Sequence, residues 1–312
     1  MALRQTLEAL DLLDSAHASG ERVAAALRAR GLEATTTTIQ GERGETDFVR
    51  VAIPGTRGRQ GGGPAPTLGI IGRLGGIGAR PHRIGLVSDG DGAVVAVACA
   101  LRVADMRREG DDLPGDLLVA THVCPRAHIR ETPTVPMMAS PVDVATMNRH
   151  EVDPAMEAIL SVDTTRGNRL VNHRGIAITP PVKEGYILRV PDGLLDLYQW
   201  VTGRVPVIVP LTTQDITPYG TGLRHINSIV QPAVATGAPV VGVALTAEVA
   251  VPGSATGASP PGDMETAVRF CLEVAKAYGA GELAFYDRDE YAELLARYGP
   301  MRHLQTLGHV YR

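Results

Sequence analysis

Aromatic side chains are scarce in this 312-residue chain, which has 3 Phe, 1 Trp and 8 Tyr. Lysine is scarcer still: Lys183 and Lys276 are two of 30 basic residues. No segment interleaves aromatics with Lys and Arg, and the net charge is −4. A nucleic-acid partner is therefore not expected. The arginine bias reads as GC-rich coding, with a smaller share in anion binding. Only three cysteines occur, Cys99, Cys124 and Cys271, so they cannot all pair, and no Asn-x-Ser/Thr sequon is present. The longest clean apolar run, residues 93–101, falls far short of a bilayer span of about 20 residues. The first eight residues carry charges where a secretory leader needs an apolar core. These absences predict a reduced, cytoplasmic protein with no membrane partner.

Glycine and proline are abundant instead, 57 of 312 residues or about 18%, against roughly 12% in ordinary chains. Hydrophobic residues still reach 44%, enough to bury a core, which excludes a disordered chain. The glycines have no three-residue period, which excludes collagen. The excess is local: residues 54–81 hold 14 Gly or Pro, and residues 251–262 hold 6. Loops tend to carry function, so both stretches are read as built loops, with 54–66 a flexible one.

Leu3, Leu7, Leu10 and Leu13 recur at helical spacing, as do Val23, Ala24 and Leu27. Ser19 is placed to cap the second helix and Gly31 to end it. Residues 32–39 and 48–53 read as strands, as do 67–71, 116–121, 158–162, 176–178, 205–209 and 239–245. Residues 89–106 form a helix that is apolar almost all round and so buried. Further helices are predicted at about 193–202, 224–235, 263–278 and 288–297, with 125–150 an irregular insertion near the site. This alternation predicts an α/β three-layer sandwich, a mostly parallel mixed sheet with helices on both faces. One domain over residues 1–312 is expected. Ligands of open α/β sheets bind beyond the carboxyl ends of strands. Arg73, Asp89, Asp91, His122, Cys124, Asp163 and Asp215 all follow such ends and are predicted to converge.

The glycine loop at 69–78 lacks both G-x-G-x-x-G and a following Lys-Ser/Thr, and Pro81 opposes an immediate helix. No nucleotide cofactor is expected. Asp89 and Asp91 flank Gly90 at a helix start, where they serve either as caps or as metal ligands on a rigid element. His122 and Cys124, two apart on a strand, face the same side. They suit zinc or a nucleophile–base pair, and burial alone also accounts for Cys124. Asp163 is a ligand or a turn cap. Thr213, Asp215, Ser254 and Thr256 lie in polar loops that offer donors to a substrate carboxylate or oxyanion, or ordinary turn chemistry. Ser254 lacks the Gly-x-Ser-x-Gly elbow of a serine hydrolase.

Several segments resemble the domain-of-unknown-function 1177 family. They are Gly69-Ile-Ile-Gly-Arg-Leu-Gly-Gly-Ile-Gly-Ala-Arg-Pro81, Ser88-Asp-Gly-Asp-Gly-Ala93, Ala120-Thr-His-Val-Cys-Pro125, Ser161-Val-Asp-Thr-Thr165 and Thr213-Gln-Asp-Ile-Thr-Pro218. That family has no assigned activity. In layout the chain is also similar to zinc-dependent exopeptidases of the glutamyl and deblocking aminopeptidase kind. Arg73-x-Gly75 falls where they carry a His-x-Asp, and Asp89-Gly-Asp91 falls at their metal-bridging Asp. His122 and Cys124 fall at their paired Glu residues, and Asp163 at their next Asp ligand. Thr213-Gln-Asp215 resembles their Gly-Thr-Asp loop, and Ser254 and Thr256 stand where they present a final His. The usual two-zinc set is incomplete here, since only Asp89 or Asp91, and Asp163, carry over.

The resemblance implies a peptidase-like fold and three functional readings. The first is a hydrolase of an amide or peptide-like small molecule. In it Asp89 or Asp91, His122, Cys124 and Asp163 hold one divalent metal, zinc or manganese, or position a water, and Arg73 clamps a substrate carboxylate. In the second, a metal-independent enzyme uses Cys124 as nucleophile and His122 or His128 as base. In the third, a binding protein keeps the fold without the chemistry. A homo-oligomer is implied by analogy with the peptidases.

Overall fold

The computed structural model describes residues 1–15, 17–73, 90–124, 126–130, 137–165, 167–248 and 259–308. Helices α1 (Leu3–Leu13) and α2 (Gly20–Arg28) open the chain. The Ser19 side chain accepts from the Arg22 N–H and so satisfies a free donor at the start of α2. Strands β1 (Glu33–Gly41) and β2 (Gly44–Ile53) form an antiparallel pair, suited by the β-branched run Thr35-Thr-Thr-Thr38. Then come β3 (Leu68–Gly72), α3 (Asp91–Arg108), β4 (Leu117–Val123), β5 (His128–Arg130) and β6 (Met137–Ala139). Helix α4 (Val144–Glu151) leads to β7 (Ala158–Thr165), β8 (Gly175–Ile178), β9 (Val182–Lys183) and β10 (Tyr186–Ile187). The chain closes with α5 (Asp192–Thr202), β11 (Val240–Thr246), α6 (Pro261–Ala280) and α7 (Arg288–Tyr298).

Among the described residues nine strands make one open mixed sheet, in the order β1-β2-β4-β3-β7-β11-β9-β10, with β8 also paired to β11. Its centre is parallel: β3 pairs with β4 and β7, and β7 with β11. Strand β2 lies antiparallel to β4, and β8 antiparallel to β11. This is the α/β class the sequence predicts. Successive residues of a strand face opposite sides. Leu68 and Ile70 thus pack with α1, α2, α3, α5 and α6 on one side, while Ile71 and Ile159 join Ile216, Ile229 and Val230 on the other. Helix α3 is buried from Asp91 through Leu101. Among the described residues no helix is long and apolar enough to cross a membrane.

Three sequence expectations differ from the structure. Residues 205–209 contribute a single bridge, Ile178 to Ile208, rather than a strand. Residues 224–235 hold no α-helix, only a 3-10 turn at Gln231–Val234. The N–H groups of Ile226 and Asn227 donate to the Asp215 carboxylate instead of helical carbonyls, at 2.7 and 2.8 Å, and Pro232 has no N–H to give. The insertion at 125–150 is only partly irregular, because it contains β5, β6 and α4. The loop at 54–66 wraps the buried Asp116 carboxylate, which accepts from Gly55 N at 2.9 Å and Gln60 N at 2.8 Å.

Candidate active site

Strands β3, β4, β7 and β11 run in one direction, so their carboxyl ends share an edge. Arg73 follows β3 directly, and its N–H donates to Val162 O at 2.8 Å. The first turn of α3 docks against this junction. A Cβ on Gly92 would lie 2.4 Å from Val162 O and 2.8 and 2.9 Å from Arg73 O and N. Only glycine permits so close an approach of three backbone segments.

The Arg73 side chain is wholly buried, a rare setting for a cation. Its Nη1 donates to Glu151 Oε2 at 2.6 Å and to Asn148 Oδ1 at 3.1 Å. Asn148 and Glu151 are three apart on α4 and so present one face. Asn148 Nδ2 donates to Gln231 O at 3.1 Å. The second Glu151 oxygen, Oε1, lies 2.5 Å from His122 Nδ1. Glu151 and Arg73 have no exposed surface and His122 has 1%. Burial pushes the Glu151 carboxyl up, but the charges and hydrogen bonds of Arg73 and His122 outweigh it and hold it below the usual glutamate range. An ionised carboxylate only accepts, so Nδ1 of His122 carries the proton it shares. The Phe48 ring packs 5.2 Å from the imidazole, between it and the stacked ring of His150.

The other predicted residues are distributed around this cluster. Asp91 accepts from Thr164 Oγ1 at 3.1 Å, from Ser259 N at 3.1 Å and from Ser259 Oγ. Asp163 accepts from Thr164 N at 2.7 Å and Ser228 Oγ at 2.9 Å. Asp215 takes four donors: Thr212 N and Oγ1 at 2.9 and 2.8 Å, and the N–H groups of Ile226 and Asn227. It thus completes a capping box at Thr213–Ile216 and pins the following loop. Thr213 is exposed at the start of that turn. Asp89, Ser254 and Thr256 lie outside the described residues. Tyr219, not singled out in the sequence, is pushed up to about 12 by burial and then by Asp163 and Asp215, with Arg73 opposing. It therefore stays a neutral hydroxyl.

Of the expected single-metal set, Asp91, His122 and Asp163 are described and Asp89 is not. Asp91, Asp163 and His122 are each engaged by protein partners. Among the described residues no group of three or more His, Cys, Asp and Glu is placed to hold an ion. A guanidinium, not a ligand, follows β3.

Cys124 follows β4 directly and is buried. Burial pushes its thiol up to about 11, with Asp47 and Glu45 adding to the shift and a backbone hydrogen bond from Arg126 opposing it. The thiolate is the reactive form. Iodoacetamide at pH 8 is therefore expected to modify Cys124 in the folded protein at least ~100-fold more slowly than a free cysteine. Peptide mass mapping over time checks this. Modification at the free-thiol rate would restore Cys124 as a nucleophile.

A model of the family described as "Protein of unknown function (DUF1177)" matches residues 37–308. The chain belongs to the DUF1177 family. Two solved structures share its fold. The glutaminyl cyclase of Macrostomum lignano is 11% identical, with 89% of each chain covered and a TM-score of 0.50. The glutaminyl cyclase of Porphyromonas gingivalis is 12% identical, with 90% of this chain and 97% of that chain covered and a TM-score of 0.51. At such identity the likeness concerns the fold alone. No curated protein matches the sequence. In this DUF1177 chain the structure brings together Arg73 and His122, which the sequence flagged, with Glu151, Asn148 and Gln231, which it did not.

Proposed function

We propose that this DUF1177 protein is a hydrolase of an amide or peptide-like small molecule, acting at the carboxyl-terminal edge of its sheet. One observation carries the reading: a buried, ionised Glu151 orients the imidazole of His122 at a strand end. With Nδ1 donating to Glu151, Nε2 is the basic nitrogen, and no described residue bonds to it. His122 then takes a proton from water as the oxygen attacks the amide carbon, and returns it through Nε2 to the departing amine. Glu151 holds the tautomer and stabilises the transient imidazolium, and Arg73 keeps Glu151 ionised. Tyr219 is a neutral donor in the same electrostatic neighbourhood. The fold shared with glutaminyl cyclases, named for a reaction at a glutaminyl group, supports amide chemistry here.

The purified full chain is to be incubated with pooled dipeptides, aminoacyl amides and N-acyl amino acids, with products read by mass spectrometry. Turnover is expected, with kcat falling about 10²–10⁴-fold in His122→Ala, assayed at a temperature where melting curves show the variant folded. Absence of turnover across the pool, or full activity in the variant, would overturn the hydrolase reading. One observation favours a second reading, a binding protein without turnover. The carboxylates of Asp91, Asp163 and Asp215 are all held by protein donors. Ligand-induced stabilisation without product would select it.

A further inference from the structure

The Arg73 guanidinium has two working edges. Nη1 serves Glu151 and Asn148. Nε and Nη2 form the other edge, and among the described residues both are buried without a hydrogen-bond partner. Leaving charged N–H groups dry and unpaired is costly, and folded proteins rarely do so. The edge without partners carries two roughly parallel N–H bonds, spaced to meet both oxygens of a carboxylate. Lysine offers no such fork.

A second unpaired atom belongs to the same network. Gln231 spends both amide hydrogens on Asp215 O and Thr217 O, each at 3.0 Å. Its Oε1 is buried and, among the described residues, unpartnered. Gln231 is joined to Arg73 through Asn148, which bonds to both. The network therefore lacks a pair of acceptor oxygens and one donor N–H.

We propose that Arg73 binds a carboxylate through Nε and Nη2, and that Gln231 Oε1 accepts the N–H next to that carboxylate. The ligand class is an N-acylated amino acid or a peptide with a free carboxyl terminus. This specifies the substrate of the proposed hydrolase and rests on that reading for the word substrate. Binding itself is tested without turnover.

The probe is a pool of N-acetyl amino acids, set against the same pool as carboxamides and against inorganic phosphate. Each is titrated into the full-length protein by calorimetry and thermal shift. The carboxylates are expected to bind at least tenfold more tightly than the amides, with phosphate not binding. Arg73→Lys, which keeps a charge beside Glu151 but loses the fork, is expected to erase that preference. Gln231→Leu keeps Arg73 intact and is expected to weaken the carboxylates severalfold. Equal affinity for the two pools, binding of phosphate alone, or no binding (the open edge then holding buried water only) would overturn the proposal. These results need no variant to fold. Carboxylate binding without turnover sinks the hydrolase reading and leaves this one standing. Equal turnover of amidated and free substrates does the reverse.

Discussion

Glu151→Ala is expected to destabilise the protein by about 3–5 kcal/mol, lowering the melting temperature by roughly 6–15 °C. The carboxylate sits between a wholly buried guanidinium and a buried imidazole. Removing it leaves Arg73 as a charge that neither water nor protein compensates. Glu151→Gln keeps the shape and one acceptor but not the charge, so it is expected to lose most of the same amount. Replacing both partners, as in Arg73→Met with Glu151→Leu, is expected to recover much of the loss, because the desolvation cost disappears with the pair. Denaturant melts of the parent and the three variants compare these stabilities, and a double variant no more stable than Glu151→Ala would contradict the argument. The pH dependence has a fixed sign. Glu151 is held below its unfolded value, about 4.3. Its contribution is therefore complete above that pH and lost as pH falls through the folded value. The acid limb of the stability curve should flatten in Glu151→Gln.

Gly92→Ala is the second large effect, about 1–3 kcal/mol and toward the upper end. All three atoms that would meet the new methyl are backbone, belonging to Arg73 and Val162. None can turn aside as a side chain end can. Either α3 backs away from the sheet or the β3 and β7 ends part, and both movements displace Arg73 from Glu151. Activity should fall with stability. Gly61→Ala supplies the control, since nothing lies within 4 Å of its added Cβ. It is expected to stay within about 0.5 kcal/mol of the parent. Chemical denaturation of both variants checks the contrast, and two equal effects would show that space at Gly92 is not the constraint.

The elements with strong local signatures were legible. An apolar stretch with no polar face is a buried helix wherever it falls, and α3 is one. The parallel strands announced themselves as short apolar runs ending in polar residues, which placed Arg73, His122 and Asp163 on one edge. Glu151 was not legible. Helix α4 has eight residues, among them Val144 and Thr146, and too little apolar periodicity to stand out. Its start does carry a signal, Asp143 as N-cap accepting from Thr146 N. That Glu151 is interior follows only from Arg73, 78 positions earlier, and no local pattern encodes such a pairing. Asp215 shows the opposite case. Thr212-x-x-Asp215 is a capping-box spelling, so the structural role of that carboxylate was readable in the sequence.

Helix α4 is also too short to persist by itself in water. It stays folded through what it touches: of its three buried side chains, Met147, Asn148 and Glu151, the last two bond to Arg73, and Glu151 also to His122. When α4 opens locally, the base loses its orienting carboxylate and Arg73 loses its counter-charge in one event. The amide hydrogens of residues 148–151 should therefore exchange with solvent through the same opening that dismantles the site. The lifetime of the assembled Arg73–Glu151–His122 cluster is the lifetime of a two-turn helix.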